Sequence, residues 1–108
     1  MKYLLSLLLI FSLQVQAADK ELMNKIMFCE SSLKHVNVWG DGGKSYGIAQ
    51  FQEATFYEFA EEAENEMKKA KLWPPNWYDK KHQIFLLNWG IDNGYANRWT
   101  CYRKIING

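Results

Sequence analysis

One apolar segment sets the fold class of this chain, and it reads Leu22-Met23-Asn24-Lys25-Ile26-Met27-Phe28-Cys29-Glu30. Its apolar residues recur at spacings of three and four, with Leu22, Ile26 and Cys29 on one stripe, which is typical of an α-helix packed on a core. Asp19 precedes the segment and can cap the helix N-terminus through its side chain. The pattern predicts a helix that carries the chain to Glu30.

Further helices are predicted downstream. From Phe56 to Ala70, apolar residues recur at helical spacing, while acids come early and bases late, as the helix dipole prefers. A second helix follows the prolines, with Asp79 as its N-cap and Gly94 as its C-cap. A short final helix is predicted from about Ala96 to Ile105.

The segment between the first two helices is predicted to be irregular. It contains Asp41-Gly42-Gly43, which predicts a turn because glycine accepts positive φ without steric cost. A minimal β-turn or short strand is expected near Tyr46 to Phe51, and no segment alternates with period two for long. The expected fold class is therefore all-α, or mostly α: a small helical domain.

The N-terminus has the three-part pattern of a secretory signal. Lys2 is followed by an apolar run from Tyr3 to Leu13, and small residues lead to a predicted cleavage after Ala17. We expect residues 1–17 to be the signal and residues 18–108 to form one secreted or periplasmic domain. The run is shorter than the roughly 20 residues that span a bilayer, so no integral membrane segment is expected after cleavage.

Charge excludes one class of function. The chain has 13 Lys and Arg against 12 Asp and Glu, and the predicted signal carries Lys2 but no acid. The mature chain is therefore neutral, with His counted as uncharged, and lacks the basic excess that nucleic acids or anionic membranes attract. Hydrophobic residues make up 48% of the chain, which is enough for a packed core and excludes disorder.

The two cysteines, Cys29 and Cys101, are interpreted as a disulfide, because an even cysteine count in an exported chain indicates one. The alternative makes Cys29 a thiol nucleophile with His35 or His82 as its base. The two histidines lack the spacing of a metal pair, so we interpret them as ordinary surface or supporting residues. No metal and no cofactor are expected.

Two polar residues are candidates for chemistry. Glu30 ends an apolar helix beside Cys29, and an apolar surrounding can raise a carboxyl pKa until the group serves as a general acid. The alternative is that Glu30 only ends the polar face of its helix. Gln50 has donor and acceptor groups that could hold a sugar amide or orient a carboxyl group. It could equally satisfy backbone groups in a buried turn.

Taken together, Glu30-Ser31-Ser32 and, 17 positions after Glu30, Gly47-Ile48-Ala49-Gln50-Phe51 resemble the lytic transglycosylase branch of the lysozyme-like superfamily. Two later segments add to the resemblance. The Asp79 to Gln83 segment opens a helix that ends at Asn93-Gly94, and Trp99-Thr100-Cys101 is similar to small secreted lysozyme-like domains that tie the catalytic helix to the C-terminus. The resemblance covers about Glu21 to Tyr102.

The resemblance implies a lysozyme-like fold, a function and a set of site residues. Glu30 would be the general acid and base that cleaves the β-1,4 bond of peptidoglycan glycan strands, with no cofactor and with the protein acting as a monomer. Substrate binding is expected from Ser32, Tyr46, Gln50, Asn93 and Tyr95. One motif departs from the family, whose Ala-Tyr-Asn is absent here, and Tyr95 would stand in for its tyrosine.

The sequence leaves three questions open. An ordinary glycosidase uses two carboxyl groups, and Asp41, Asp79 and Asp92 are possible second ones if water is the nucleophile. The alternative function is a secreted, non-catalytic glycan-binding module of the same fold. The tryptophans divide by position: Trp89 and Trp99 are predicted in the core, and those expected on a sugar-binding surface are Trp39, Trp73 and Trp77.

Overall fold

A computed structural model describes residues 20–108 of the chain. The predicted signal, residues 1–17, and the predicted cap Asp19 lie outside the described residues. Within this range the elements are α1 (20–31), β1 (Trp39–Gly40), β2 (Ser45–Tyr46), β3 (Phe51–Gln52), α2 (Glu53–Glu62), α3 (Glu64–Lys69), α4 (Lys80–Asp92) and α5 (Thr100–Asn107). The mostly helical fold class with minimal strand is confirmed.

The signals predicted for the ends of α4 are confirmed. The Asp79 side chain accepts a hydrogen bond from the backbone N–H of His82 at 3.1 Å, which satisfies one of the unpaired donors at the helix start. At the other end Gly94 has a φ of 86°, the left-handed conformation that a β-carbon disfavours.

Two predicted helices are each divided. The segment from Phe56 to Ala70 forms α2 and α3, which meet at Ala63, where ψ is 16°. Phe59 and Met67 are both fully buried on either side of this bend, and neither proline nor glycine marks it in the sequence. The final segment begins with a 3-10 turn, Ala96–Arg98, and only then continues as α5.

A single core lies between α1, the helix pair α2 and α3, and α4. Its largest fully buried side chains are Phe51, Phe56, Phe59, Ile26, Met67, Leu86, Leu87 and Gln83. The polar member of this set, Gln83, lies on the same face of α4 as Leu86, Leu87 and Gly90. No helix in the described range is long and apolar enough to cross a membrane.

The predicted disulfide between Cys29 and Cys101 is confirmed. It joins the last turn of α1 to the first turn of α5 across a sequence separation of 72 residues. A cross-link that closes a loop of this length stabilises a fold by about 2–5 kcal/mol. Because both cysteines are bonded, the thiol-nucleophile alternative for Cys29 is wrong.

Candidate active site

Glu30 and Gln50, the two residues singled out for chemistry, line the same cleft, which has a volume of about 590 Å³. The cleft lies between the end of α1, the small sheet and the start of α5. The polar residues that contribute to its wall are Ser45, Gln52, Thr55 and Thr100, and its charged residues are Glu30, Asp41, Arg98 and Lys104.

The sheet contributes one of its faces to this cleft. Its strands are antiparallel in the order β1-β2-β3, and the register places Gly40 opposite Ser45, and Ser45 opposite Gln52. Residues opposite one another in a register share a face, and all three line the cleft. The neighbouring row contains Tyr46 and Phe51, which are buried.

Glu30 lies in the last turn of α1 with its side chain half-buried. Burial is the main cause that raises the pKa of its carboxyl group, and the negative charge of Asp41 raises it further. A hydrogen bond from the backbone N–H of Cys101 and the positive charges of Lys104 and Arg103 lower the pKa, but burial outweighs them. Glu30 therefore keeps its proton to a higher pH than an ordinary glutamate.

Glu30 lies beside the first turn of α5. Trp99, which precedes α5, makes no side-chain cap, so the first N–H groups of this helix need other partners. The N–H of Cys101, whose side chain is bonded to Cys29, interacts with the Glu30 carboxyl and lowers its pKa. The carboxyl and the adjacent disulfide thus both lie at the start of α5.

Gln50 presents an amide of fixed orientation. Its Nε2 donates to the carbonyl oxygens of Gly47 at 2.9 Å and Val38 at 3.1 Å, so both amide hydrogens have partners. Its Oε1 packs so closely against Gly40 that a β-carbon there would lie 2.1 Å from it. A side chain at position 40 would therefore displace this amide, whose oxygen is left as a hydrogen-bond acceptor at the cleft.

The serine that supports the site is Ser31. Its Oγ lies 2.7 Å from the carbonyl oxygen of Ile48 and 2.9 Å from that of Met27, and its side chain is buried. Ser31 therefore ties α1 to the segment that carries Gln50. Ser32, predicted to bind substrate, is exposed with a φ of 56° and is not among the described residues that line the cleft.

The other three predicted substrate-binding residues also lie outside the described lining of the cleft. Tyr46 is buried among aromatic rings. Asn93 closes the end of α4 by donating from Nδ2 to the carbonyl oxygen of Trp89 at 2.8 Å. Tyr95 stacks on Trp89 and donates its hydroxyl to Glu62, a hydrogen bond that raises the pKa of Tyr95. The structure therefore brings together Glu30 and Gln50 and leaves the other predicted binding residues elsewhere.

Sequence reasoning missed the residue that holds the Gln50 segment in place, Gln83. Its Nε2 donates to the carbonyl oxygens of Tyr46 and Trp77, both at 2.8 Å, and its Oε1 accepts from the N–H of Ala49 at 3.1 Å. A signal was present, because position 83 shares helical spacing with Leu86 and Leu87. A glutamine on a buried helix face needs hydrogen-bond partners.

His35 supports the same segment. Its Nδ1 accepts the N–H of Ile48 at 3.0 Å, and its Nε2 lies 2.7 Å from the carbonyl oxygen of Tyr78. Since a carbonyl only accepts, Nε2 carries the proton. His35 and Gln83 meet at Gly47, where a β-carbon would lie within 2.7 Å of both side chains and φ is 86°. Glycine is required at this position by both observations.

The tryptophan predictions are partly confirmed. Trp99 is buried, with Nε1 donating to Ala49, and Trp89 is partly buried against the core. Trp39 and Trp73 are exposed as predicted. The prediction for Trp77 is wrong, because this side chain is only 6% exposed. Its ring is buried in the core, where Nε1 donates to the carbonyl oxygen of Phe51 at 2.9 Å.

Among residues 20–108, no group of three or more His, Cys, Asp or Glu side chains is arranged to hold a metal ion. Comparisons with protein-family models, with curated proteins and with solved structures gave no match.

Proposed function

We propose that this protein is a peptidoglycan-cleaving glycosidase of the lytic transglycosylase or lysozyme type. It breaks the β-1,4 bond between N-acetylmuramic acid and N-acetylglucosamine, with Glu30 as general acid and base. The observation that carries the proposal is a half-buried carboxyl of raised pKa on the wall of a cleft of about 590 Å³. A proton retained above the usual pH range is what a leaving glycosidic oxygen requires.

The cleft also suits a saccharide. Sugar hydroxyl and acetamido groups need both donors and acceptors, and the wall supplies hydroxyls from Thr55 and Thr100 and the amide oxygen of Gln50. Glu30 would protonate the glycosidic oxygen as the bond to C1 breaks. Its carboxylate would then take the proton of the attacking hydroxyl, which belongs either to the sugar itself or to water.

Export of the protein is part of the proposal. It is supported by the bond between Cys29 and Cys101, because disulfides persist in oxidising compartments such as the periplasm and the extracellular space. The predicted signal in residues 1–17 agrees with this location, which is also where peptidoglycan is found.

The mature protein is expected to clear a suspension of purified peptidoglycan and release soluble muropeptides. Turbidity and mass spectrometry of the supernatant measure the two effects. The same sample, sedimented, separates the alternative function from the proposed one: a glycan-binding module would sediment with the wall while turbidity stayed constant. A protein that neither binds nor clears the wall contradicts both functions.

The rate of release is expected to decline on the alkaline side with a midpoint above pH 4.5, the usual pKa of glutamate, because the acid step needs protonated Glu30. Lys104→Met should move this midpoint to higher pH, since the Lys104 charge lowers the pKa of Glu30. Lys69→Met, on the exposed surface of α3, is the matched control and should leave it in place. A midpoint at or below 4.5, or a shift of the Lys104 variant to lower pH, contradicts the assignment.

A further inference from the structure

The cleft contains a second carboxylate with no role in the steps above. Of the three aspartates that the sequence left as candidates, Asp79 caps α4 and Asp92 lines a different cavity, between α1 and α4. Asp41 lines the same cleft as Glu30. It lies in the 3-10 turn between β1 and β2.

The Asp41 side chain is anchored to the sheet. Its Oδ2 accepts a hydrogen bond from Ser45 Oγ at 3.0 Å, and Ser45 is 2% exposed, so the anchoring hydroxyl belongs to a buried residue of β2. The second oxygen, Oδ1, makes no hydrogen bond with another residue of the described range. Asp41 itself is exposed to solvent.

The two carboxyl groups also interact electrostatically. The charge of Asp41 is, after burial, the largest cause of the raised pKa of Glu30. One carboxyl that keeps its proton and a second that is solvent-accessible form the pair with which glycosidases divide the acid and base roles.

We propose that Asp41 is a catalytic base that activates a water molecule, so that this cleft hydrolyses the glycosidic bond and does not close an anhydro ring on the sugar. The inference rests on the proposed function and specifies its nucleophile. It departs from what the resemblance to lytic transglycosylases implies, in which one glutamate serves both steps.

The step balances without a co-reactant other than water. Glu30 gives its proton to the glycosidic oxygen, and the bond between that oxygen and C1 breaks. The water oxygen bonds to C1 while Asp41 accepts the water proton. The products are a saccharide with a free reducing end and one with a free 4-hydroxyl group. Asp41 then releases its proton and Glu30 regains one, both by exchange with solvent.

The test is digestion of purified peptidoglycan in 18O-labelled water, followed by mass spectrometry. Products of the wild-type protein are expected to carry the label at the reducing end and to be heavier by one water than anhydro products. Asp41→Asn should lower the release rate by at least about 100-fold. Asparagine accepts the φ of 51° at this position, so the turn should persist. Glu61→Gln, on the exposed surface of α2, is the control and should retain the rate.

A second variant separates a base from a structural residue. Asp41→Gly fits the positive φ and leaves space for a small carboxylate. If position 41 supplies a base, sodium formate should raise the release rate of this variant by at least about tenfold over its rate without formate. Unlabelled anhydro products from the wild-type protein, an Asp41→Asn variant with unchanged rate, or no recovery with formate would each overturn the inference. If one of these outcomes is found but muropeptide release still depends on Glu30, the proposed function stands without the inference. If the wild-type protein releases no muropeptides, the proposed function itself is wrong.

Discussion

Glu30→Gln is expected to lower the rate of muropeptide release by about 10⁴-fold, the upper end of what a positioned acid or base contributes, because the leaving glycosidic oxygen loses its proton donor. Glutamine has nearly the same shape and its amide oxygen can still accept the N–H of Cys101. It cannot deliver a proton to the glycosidic oxygen. Release is measured by mass spectrometry of soluble muropeptides from purified peptidoglycan.

The same variant makes a prediction about stability, which distinguishes lost chemistry from lost structure. The pKa of Glu30 is raised in the folded protein, so protonated Glu30 stabilises the fold fully below pH 4.5 and this contribution is lost as pH rises through the raised pKa. Glutamine mimics the protonated group at every pH. Glu30→Gln should therefore match the wild-type protein at low pH and be at least as stable at neutral pH.

Thermal unfolding at both pH values checks this expectation, with Glu61→Gln as the matched control for removal of one exposed acid. Unchanged release by Glu30→Gln would remove Glu30 from the mechanism. A strongly destabilised variant would instead show that the carboxyl group itself is needed for the fold.

Gln83→Leu is expected to have the largest effect on stability, a loss of about 3 kcal/mol or more in the free energy of unfolding. Leucine has a similar volume but leaves three backbone groups without a partner: the carbonyls of Tyr46 and Trp77 and the N–H of Ala49. Each buried group left unsatisfied costs about 1–3 kcal/mol. The branched side chain would also meet Gly47, which lies against the present amide.

Urea unfolding followed by circular dichroism measures this loss. Asn88→Leu is the matched control, because it makes the same kind of amide-to-leucine change on the exposed face of α4 and should alter stability by no more than about 0.5 kcal/mol. Equal losses in the two variants would show that the hydrogen bonds of Gln83 contribute little to the fold.

Much of the helical framework could be read from apolar spacing alone. The stripe ending at Glu30 forms α1, and the caps at Asp79 and Gly94 bound α4, because these features depend on residues only a few positions apart. The bend at Ala63 could not be predicted in this way. Phe59 and Met67 are fully buried on either side of it, and no local residue signals it.

The candidate site shows the same division. Glu30 and Gln50 were identified from sequence because a short motif surrounds each of them. Ser32 was predicted to bind substrate, but the serine that supports the site is Ser31. The difference depends on which of two adjacent residues faces Ile48 at the end of a helix. Trp77 was predicted on the surface for a similar reason. Its position beside the prolines does not indicate that its ring donates a hydrogen bond to the carbonyl oxygen of Phe51.

By itself, the sequence determined the helical class of the protein and the pairing of Cys29 with Cys101, because these follow from periodicity and composition, and it singled out Glu30 and Gln50 as candidates through the motifs that resemble lytic transglycosylases. Only the tertiary structure decided that Glu30 is half-buried beside the start of α5, that Asp41 lines the same cleft, and that Gln83 anchors the segment carrying Gln50. Burial, electrostatic interaction and hydrogen-bond satisfaction depend on contacts between residues that are distant in the sequence. Local sequence patterns do not specify those contacts.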